Sequence, residues 1–172
     1  MKNLKTNTIK TYKKGVILLE QGEIAKYGYL VKKGCLKSYT VDIAGKEHIL
    51  QFAPENWMIS DLESFTNQVP SSVSIETIED CEIALIAKVD FKEIEGLEKE
   101  VVIDMANKFR NNLIASNKRI LGLLSASSEQ RYLDFTETYP TLVQRLPLKL
   151  IAAYIGVTPE YLSDIRRRMA RK

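Results

Sequence analysis

The sequence is poor in the residues on which most catalytic and metal sites depend. It has one histidine and two cysteines among 172 residues. His48 lies beside Glu47 without a serine or cysteine nucleophile pattern, which is typical of a strand histidine rather than a general base, so the sequence predicts no enzyme. Cys35 and Cys81 are too far apart for a zinc or iron–sulfur motif, and we expect two buried thiols. The acidic stretch IETIEDCEI lacks the glycine-centred spacing of a calcium loop, so no metal and no cofactor are predicted.

Long apolar runs are also absent. No segment approaches the roughly 20 residues that span a bilayer. The start, MKNLKTNTIK, has lysines without the apolar stretch of a secretory signal. Hydrophobic residues make up 45% of the chain and charged residues 27%, which suits one or two globular domains. We therefore expect a cytoplasmic protein with no membrane partner.

Positive charge is concentrated at the C-terminal end. The whole chain carries +3, but residues 141–172 hold seven cations against two acids, which gives this segment +5 and leaves −2 for the rest. This asymmetry is expected where one end of a protein contacts a polyanion such as DNA. The alternative is a helical hairpin whose charged face contacts only solvent.

Two kinds of hydrophobic pattern meet at about residue 90. Before it, short segments rich in β-branched and aromatic residues are separated by glycines, at the spacing of an antiparallel sandwich or roll. The stretch SYTVDIAGKEHILQF predicts a hairpin that turns at Ala44 and Gly45. After it, residues 91–124 contain no proline and carry a heptad seam typical of one long helix. The seam consists of Val102, Ala106, Phe109, Leu113, Ser116, Ile120 and Leu123.

The seam favours a homodimer in which two long helices pack together, and a helix that packs on its own domain is the alternative. In the dimer, three neighbouring apolar residues are expected to face the protein's own body: Ile103, Ile114 and Leu124. Ser127 and Gln130 have the spacing of a capping box for a further helix, which Pro140 ends. Residues 124–128 are therefore predicted to be a hinge.

The last segment has the spacing of a helix-turn-helix motif. Pro147 suits the first position of one helix, which Gly156 ends, and after a turn of about three residues Thr158 and Pro159 begin the next. If the apolar residues of the second helix point inward, a rotation of about 100° per residue turns its charged residues outward. The residues expected to contact DNA are Thr158, Glu160, Tyr161, Ser163, Asp164, Arg166, Arg167, Arg168 and Arg171.

The chain resembles the Crp/Fnr superfamily of bacterial transcription regulators, in the branch common in Bacteroidetes. The resemblance rests on NWMISDLESF, PSSVSIETIED, RYLDFTETYP and PLKLIAAYIGVTPEYLSDIRRRM, and covers nearly the whole chain. It implies an α+β protein: a cyclic-nucleotide-binding-like antiparallel β-roll of jelly-roll (double-stranded β-helix) type over residues 1–90, a dimerisation helix over 91–124 and a helix-turn-helix domain over 125–172. It also implies a homodimer on a palindromic operator in double-stranded DNA, with RNA polymerase and a small-molecule effector as further candidate partners.

The resemblance also locates an effector pocket, where this sequence departs from members that bind cyclic AMP. Those members carry a Gly-Glu pair and then an arginine that holds the phosphate, whereas the matching stretches here read ISDL and PSSV. Between Lys46 and Lys88 there is no cation and there are eight acids, so we predict that the roll does not bind cyclic AMP. Another effector, or none, would use the residues predicted to line the pocket: Trp57, Ser60, Asp61, Leu62, Ser71 and Ser72, with Phe65 beside them.

Asp164 is the residue that fits this resemblance least, because the relatives commonly present an arginine at its position. It could accept a hydrogen bond from cytosine, as Glu160 could, or pair with Arg167 or Arg168 along the helix. We also expect the roll to start almost at Met1, without the short helix that precedes it in relatives, and we expect no wing after the second helix in the sequence up to Lys172. The alternative function is therefore an effector-binding sensor or scaffold module with a weakened or vestigial DNA-binding head.

Overall fold

The computed structural model describes residues 8–88 and 97–171, which form eight strands and five helices. The strands are β1 (Ile9–Tyr12), β2 (Ile17–Leu19), β3 (Tyr27–Lys33), β4 (Leu36–Val41), β5 (Glu47–Ala53), β6 (Met58–Ile59), β7 (Ser74–Thr77) and β8 (Cys81–Ala87). The helices are α1 (Leu62–Asn67), α2 (Lys99–Ser125), α3 (Ser128–Thr138), α4 (Leu148–Ile155) and α5 (Pro159–Met169). The predicted α+β architecture, with strands first and helices after them, is confirmed.

The strands form a roll of two antiparallel sheets. One sheet has the order β1-β8-β3-β6 and the other β2-β7-β4-β5. The predicted hairpin is present: β4 pairs with β5, and Gly45 takes the left-handed conformation in the turn, with a φ of 79°. Gly34 is required by space as well as by its φ of 89°, because a Cβ there would lie 2.6 Å from the main-chain oxygen of Asp80. Cys35 and Cys81 are both buried, and burial raises the pKa of each thiol.

Helix α2 runs along the roll and turns two small residues toward the protein. Its buried residues are Ala115 and Gly122, and a Cβ at Gly122 would lie 3.6 Å from Cγ of Arg131 in α3. The expectation that three apolar neighbours of the seam face the protein's own body is wrong, because small residues fill that position. All three are exposed: Ile103, Ile114 and Leu124. The predicted helix start at residue 91 lies outside the described residues, and no described helix is long and apolar enough to cross a membrane.

Residues 128–171, here called the head, contain the helices α3, α4 and α5 and share one hydrophobic cluster with the roll. Phe52 of β5 is fully buried, and its ring centroid lies 6.2 Å from that of Phe135, 5.9 Å from that of Tyr139 and 5.4 Å from that of Tyr154. Aromatic side chains bury large areas and gain further from tilted or edge-on contacts. The head is therefore packed against its own roll by a core.

A charged contact lies beside this core. The Arg145 guanidinium, in the segment between α3 and α4, donates to the carboxylates of Glu55 and Glu79 at distances between 2.6 and 3.1 Å. The predicted break between α2 and α3 is present, and Ser127 Oγ accepts from the Gln130 amide at 3.2 Å, which is one of the two bonds of a capping box. The Gln130 side chain donates to Asp134 at 2.9 Å. The domain boundaries at residues 90 and 124 stay predictions.

Candidate DNA-binding surface and effector cavity

Helices α4 and α5 are joined by a turn of three residues. Gly156 ends α4 with a φ of 76°, and the Val157 amide donates back to the Ala152 oxygen at 3.0 Å. Thr158 caps α5 by accepting from the Tyr161 amide at 3.2 Å, and Pro159 takes the first helical position. The two helices and the turn agree with the spacing in the sequence, except that Pro147 is the N-cap of α4 and lies just before its first residue.

The outward surface of α5 and its cap is here called the α5 face. Leu162 and Ile165 are fully buried beneath it. Every residue predicted to contact DNA is at least partly exposed on this surface: Thr158, Glu160, Tyr161, Ser163, Asp164, Arg166, Arg167, Arg168 and Arg171. The side-chain period of a helix thus brings the predicted contact residues to one outer surface while the apolar residues pack inward.

Side-chain contacts on the α5 face occupy some of these groups. The carboxylate of Asp164 forms an ion pair with the Arg167 guanidinium three residues on, and both side chains remain more than half exposed. The Arg168 guanidinium lies 5.7 Å from the centroid of the Tyr161 ring. The pairing predicted as one alternative for Asp164 is therefore present in the free protein. Within residues 8–88 and 97–171, Arg166 pairs with no acid and keeps its donors available.

A cavity of about 300 Å³ opens between the roll and α2. Several residues predicted for the effector pocket line it: Ser60, Asp61, Leu62 and Ser72. Ser71 lies behind them, 3% exposed, with its hydroxyl 2.9 Å from Oδ2 of Asp61. The prediction for Trp57 is wrong, because its ring packs at 5.3 Å on Tyr139 of the head and does not line this cavity. The local sequence around Trp57 gives no sign that its ring packs on a residue of the head.

The Asp61 carboxylate accepts hydrogen bonds from the main-chain amides that an incoming anion would need. Its Oδ1 accepts from the Ser64 amide at 3.0 Å and its Oδ2 from the Ser72 amide at 2.9 Å. Burial opposes ionisation, yet these hydrogen bonds and those of the serine hydroxyls outweigh it, so the pKa of Asp61 lies below its ordinary value. The chain's own carboxylate therefore occupies the place where main-chain amides could bind a phosphate.

A second, apolar cavity of about 350 Å³ adjoins the first. Its walls include Met58, Phe65 and Ile86 from the roll and α1, and the seam residues Phe109 and Leu113 from α2. Phe65 thus lies where it is expected. The two cavities have lining residues in common: Gln51, Ser60, Leu62 and Ser116. One ligand could extend from the polar cavity into the apolar one.

Arg119 of α2 lines the polar cavity and is a residue that the sequence reasoning missed. Its Nη2 donates to the oxygen of Ile49 in β5 at 2.5 Å and to that of Tyr154 in α4 at 2.9 Å. Burial lowers the pKa of this guanidinium from its ordinary value. A signal was available, since Arg119 has heptad spacing with the small residues Ala115 and Gly122 on the face toward the protein.

Residues 9–95 match the family model of the cyclic nucleotide-binding domain, and this span covers half of the chain. No curated protein matches the chain in sequence.

Solved structures share the fold of nearly the whole chain. FixK2 from Bradyrhizobium japonicum has a TM-score of 0.76 at 19% identity, over 96% of this chain and 85% of that one. A transcriptional regulator of the CRP/FNR family from Thermus thermophilus has a TM-score of 0.70 at 18% identity, over 95% and 86% of the two chains. The c-di-GMP responsive global regulator CLP of Xanthomonas campestris has a TM-score of 0.71 at 12% identity, over 96% and 87%. At these identities the likeness establishes the fold alone.

Proposed function

We propose that this chain, which belongs to the cyclic nucleotide-binding domain family and has the fold of the Crp/Fnr transcription regulators, regulates transcription in the cytoplasm by binding double-stranded DNA as a homodimer. Helices α4 and α5 would act as the helix-turn-helix, with α5 in the major groove. The roll would bind an effector other than a cyclic nucleotide, or contact RNA polymerase. No step of this function is catalytic.

The exposed α5 face is the observation that carries the proposal. Arg166 and Arg171 extend from it into solvent and can neutralise phosphates. Glu160 lies in the first turn of α5, where it can accept a hydrogen bond from a cytosine amino group. Because Leu162 and Ile165 fasten the helix to α4, these groups are presented by a rigid element.

The exposed seam of α2 supports the homodimer. Phe109, Leu113 and Ile120 are 41%, 62% and 53% exposed on one helix, although side chains of this size usually lose water contact on folding. A second copy of the helix would cover them at heptad spacing. The two heads of such a dimer would contact DNA half-sites that lie one helical turn apart, about 34 Å.

The engaged carboxylate of Asp61 is the reason for excluding cyclic nucleotides. A cyclic phosphate would have to displace it from the Ser64 and Ser72 amides and would meet its charge. Phosphate groups are usually bound by an arginine side chain. Among the described residues that line this cavity, the arginine is Arg119, which lies on the opposite wall in α2.

A second candidate is an effector-binding sensor or scaffold module whose DNA-binding head is weakened. One observation favours it: the Asp164–Arg167 ion pair places an acid in the middle of the α5 face and neutralises one of its cations. Such a protein would bind DNA phosphates without recognising the base sequence.

Selection from a random pool of duplex DNA, at low and at physiological salt, tests the proposal. A palindrome that is still enriched at physiological salt supports a sequence-reading regulator, because contacts to phosphate alone weaken steeply as salt rises. Binding that enriches no sequence supports the sensor or scaffold.

Two variants that make the same change of charge sharpen the test. Asp164→Arg should raise affinity for the selected DNA about 5- to 150-fold, the equivalent of about 1–3 kcal/mol for a new base contact. Glu137→Arg makes the same change of charge on exposed α3 and should have a far smaller effect. Equal effects of the two variants would mean that α5 does not enter the groove.

A further inference from the structure

The two adjoining cavities between the roll and α2 contain few charged groups. Among their described lining residues, the charged ones are Asp61 and Arg119. The carboxylate oxygens of Asp61 already accept hydrogen bonds from Ser64, Ser71 and Ser72. Arg119 is therefore the charged group at this site that retains capacity for a ligand.

The Arg119 side chain is a cation with no anion beside it. Both of its hydrogen bonds use Nη2 and end on main-chain oxygens. Its Nε is out of contact with solvent and has no hydrogen-bond partner among the described residues. None of the ion pairs found across residues 8–88 and 97–171 includes it. The guanidinium carbon lies 4.5 Å from the centroid of the Tyr154 ring, a weaker compensation than an ion pair. Charges withdrawn from water are normally paired, so an anion would complete the site.

A second unpartnered donor belongs to a residue that lines both cavities. Gln51 lines both cavities, and its Nε2 is buried without a hydrogen-bond partner among the described residues. Buried polar groups without partners are rare in folded proteins and point to a missing acceptor. Gln51, which lines both cavities, and Arg119, which lines the polar one, are thus the two described residues beside these cavities whose side chains keep an unsatisfied buried donor.

The shape and lining of the site limit the ligand further. The apolar cavity, at about 350 Å³, has the volume of a small-molecule site and walls formed by residues such as Met58, Phe65 and Met105. The negative charge of Asp61 disfavours a phosphate dianion more than a monoanion. A carboxylate is a planar monoanion that matches a guanidinium.

From these observations we infer that the joined cavities bind a small carboxylic acid with an apolar body, whose carboxylate is held by Arg119 of α2 and whose body lies against Met58, Phe65 and Phe109. This inference rests on the proposed function in that it names the effector class of the roll. In this arrangement the ligand's anion is bound by the long helix α2. It is not bound at the start of α1 and the loop that follows, where the Asp61 carboxylate blocks anions.

Calorimetric titration of the full-length protein tests this inference with hexanoate, octanoate and 4-phenylbutyrate as probes, each compared with its neutral primary amide. At least one acid should bind with a Kd of about 1 mM or lower and at least 10-fold more tightly than its amide, because only the acid forms a charge-assisted hydrogen bond. Arg119→Gln should weaken binding of that acid about 10- to 100-fold and remove the preference over the amide.

Arg131→Gln is the matched control. Arg131 also donates to main-chain oxygens, those of Ile155 and Ala126, but it lines neither of these two cavities. The Arg131→Gln variant should therefore still bind the acid more tightly than its amide. If Arg119→Gln does not fold, Arg119→Lys and the comparison of acid with amide on the natural protein decide the question.

The inference is overturned if no probe acid binds the natural protein at about 10 mM, or if every amide binds as tightly as its acid. Selection of DNA is measured separately. If the protein selects a palindrome but prefers no acid, the proposed function stands and the inferred effector class is wrong. If it prefers acids but selects no DNA sequence, the carboxylate site stands and the alternative function of a sensor is supported.

Discussion

Truncation of Phe52 to alanine tests whether the roll and the head share one core. Phe52 belongs to β5 of the roll, yet the rings around it belong to the head: Phe135, Tyr139 and Tyr154. Removing a fully buried phenyl ring typically costs about 3–5 kcal/mol, which includes the cavity left behind. The loss should fall mainly on the contact between roll and head, because that is where the removed atoms pack.

Urea unfolding followed by fluorescence and by circular dichroism measures both effects. Trp57 is the single tryptophan and packs on Tyr139, so its emission reports on the junction. With a urea slope of about 1–3 kcal/mol per molar for a small protein, the fluorescence midpoint should fall by roughly 1–5 M. It should also fall below the dichroism midpoint, whereas the two should coincide in the natural protein. Protein concentration must be held fixed, since dimerisation shifts apparent stability.

Ile83→Ala is the matched control for Phe52→Ala. Ile83 is fully buried within the cluster that contains only residues of the roll and α1. Its truncation should cost about 2–5 kcal/mol while the two midpoints stay together. A loss under about 1 kcal/mol for Phe52→Ala, or midpoints as coincident as those of Ile83→Ala, would refute the shared core.

Three further results are expected from urea or pH unfolding. Arg145→Gln should cost about 1–2 kcal/mol, because it removes a multiply hydrogen-bonded contact between head and roll, whereas Lys13→Gln at an exposed ion pair should cost far less. Gly156→Ala should cost about 1 kcal/mol at a φ of 76°, while helical Gly122→Ala should be neutral or stabilising. The pKa of Asp61 lies below its ordinary 3.8 in the folded protein. Its contribution to the free energy of unfolding is therefore fully present above pH 3.8 and is lost as the pH falls through the lower folded pKa. In Asp61→Asn this part of the pH dependence should be absent.

The elements that the sequence predicts well are those specified by neighbouring residues. Gly45 and Gly156 mark turns because glycine adopts positive φ without strain, and Thr158 with Pro159 marks a helix start because cap and first turn need those types. The exposed α5 face follows from helical periodicity once Leu162 is assigned to the core. All of these signals act within a few residues.

The residues that were missed or misassigned depend on contacts between distant parts of the chain. Arg119 bonds to a β5 oxygen 70 residues away, and Trp57 packs on Tyr139 of the head. No local pattern specifies either partner. For α2, periodicity groups residues by face but does not say which face points inward, and the inward face holds Ala115 and Gly122, which a search for large apolar residues passes over. Leu124, which is 79% exposed, is assigned inward by such a search for that reason.

The shared core constrains how any signal reaches α5. A head that swings about residues 126–127 must first separate Phe52 from its aromatic partners and Arg145 from its two carboxylates. An effector with a Kd of about 1 μM releases about 8 kcal/mol, and only the part of it that differs between the two states can drive the swing. Inverting a 1:99 population requires about 5.5 kcal/mol of such difference. Small movements of α2, which Arg119 links to both β5 and α4, require no loss of that core and are therefore the less costly way for an effector in the roll to change the position of α5.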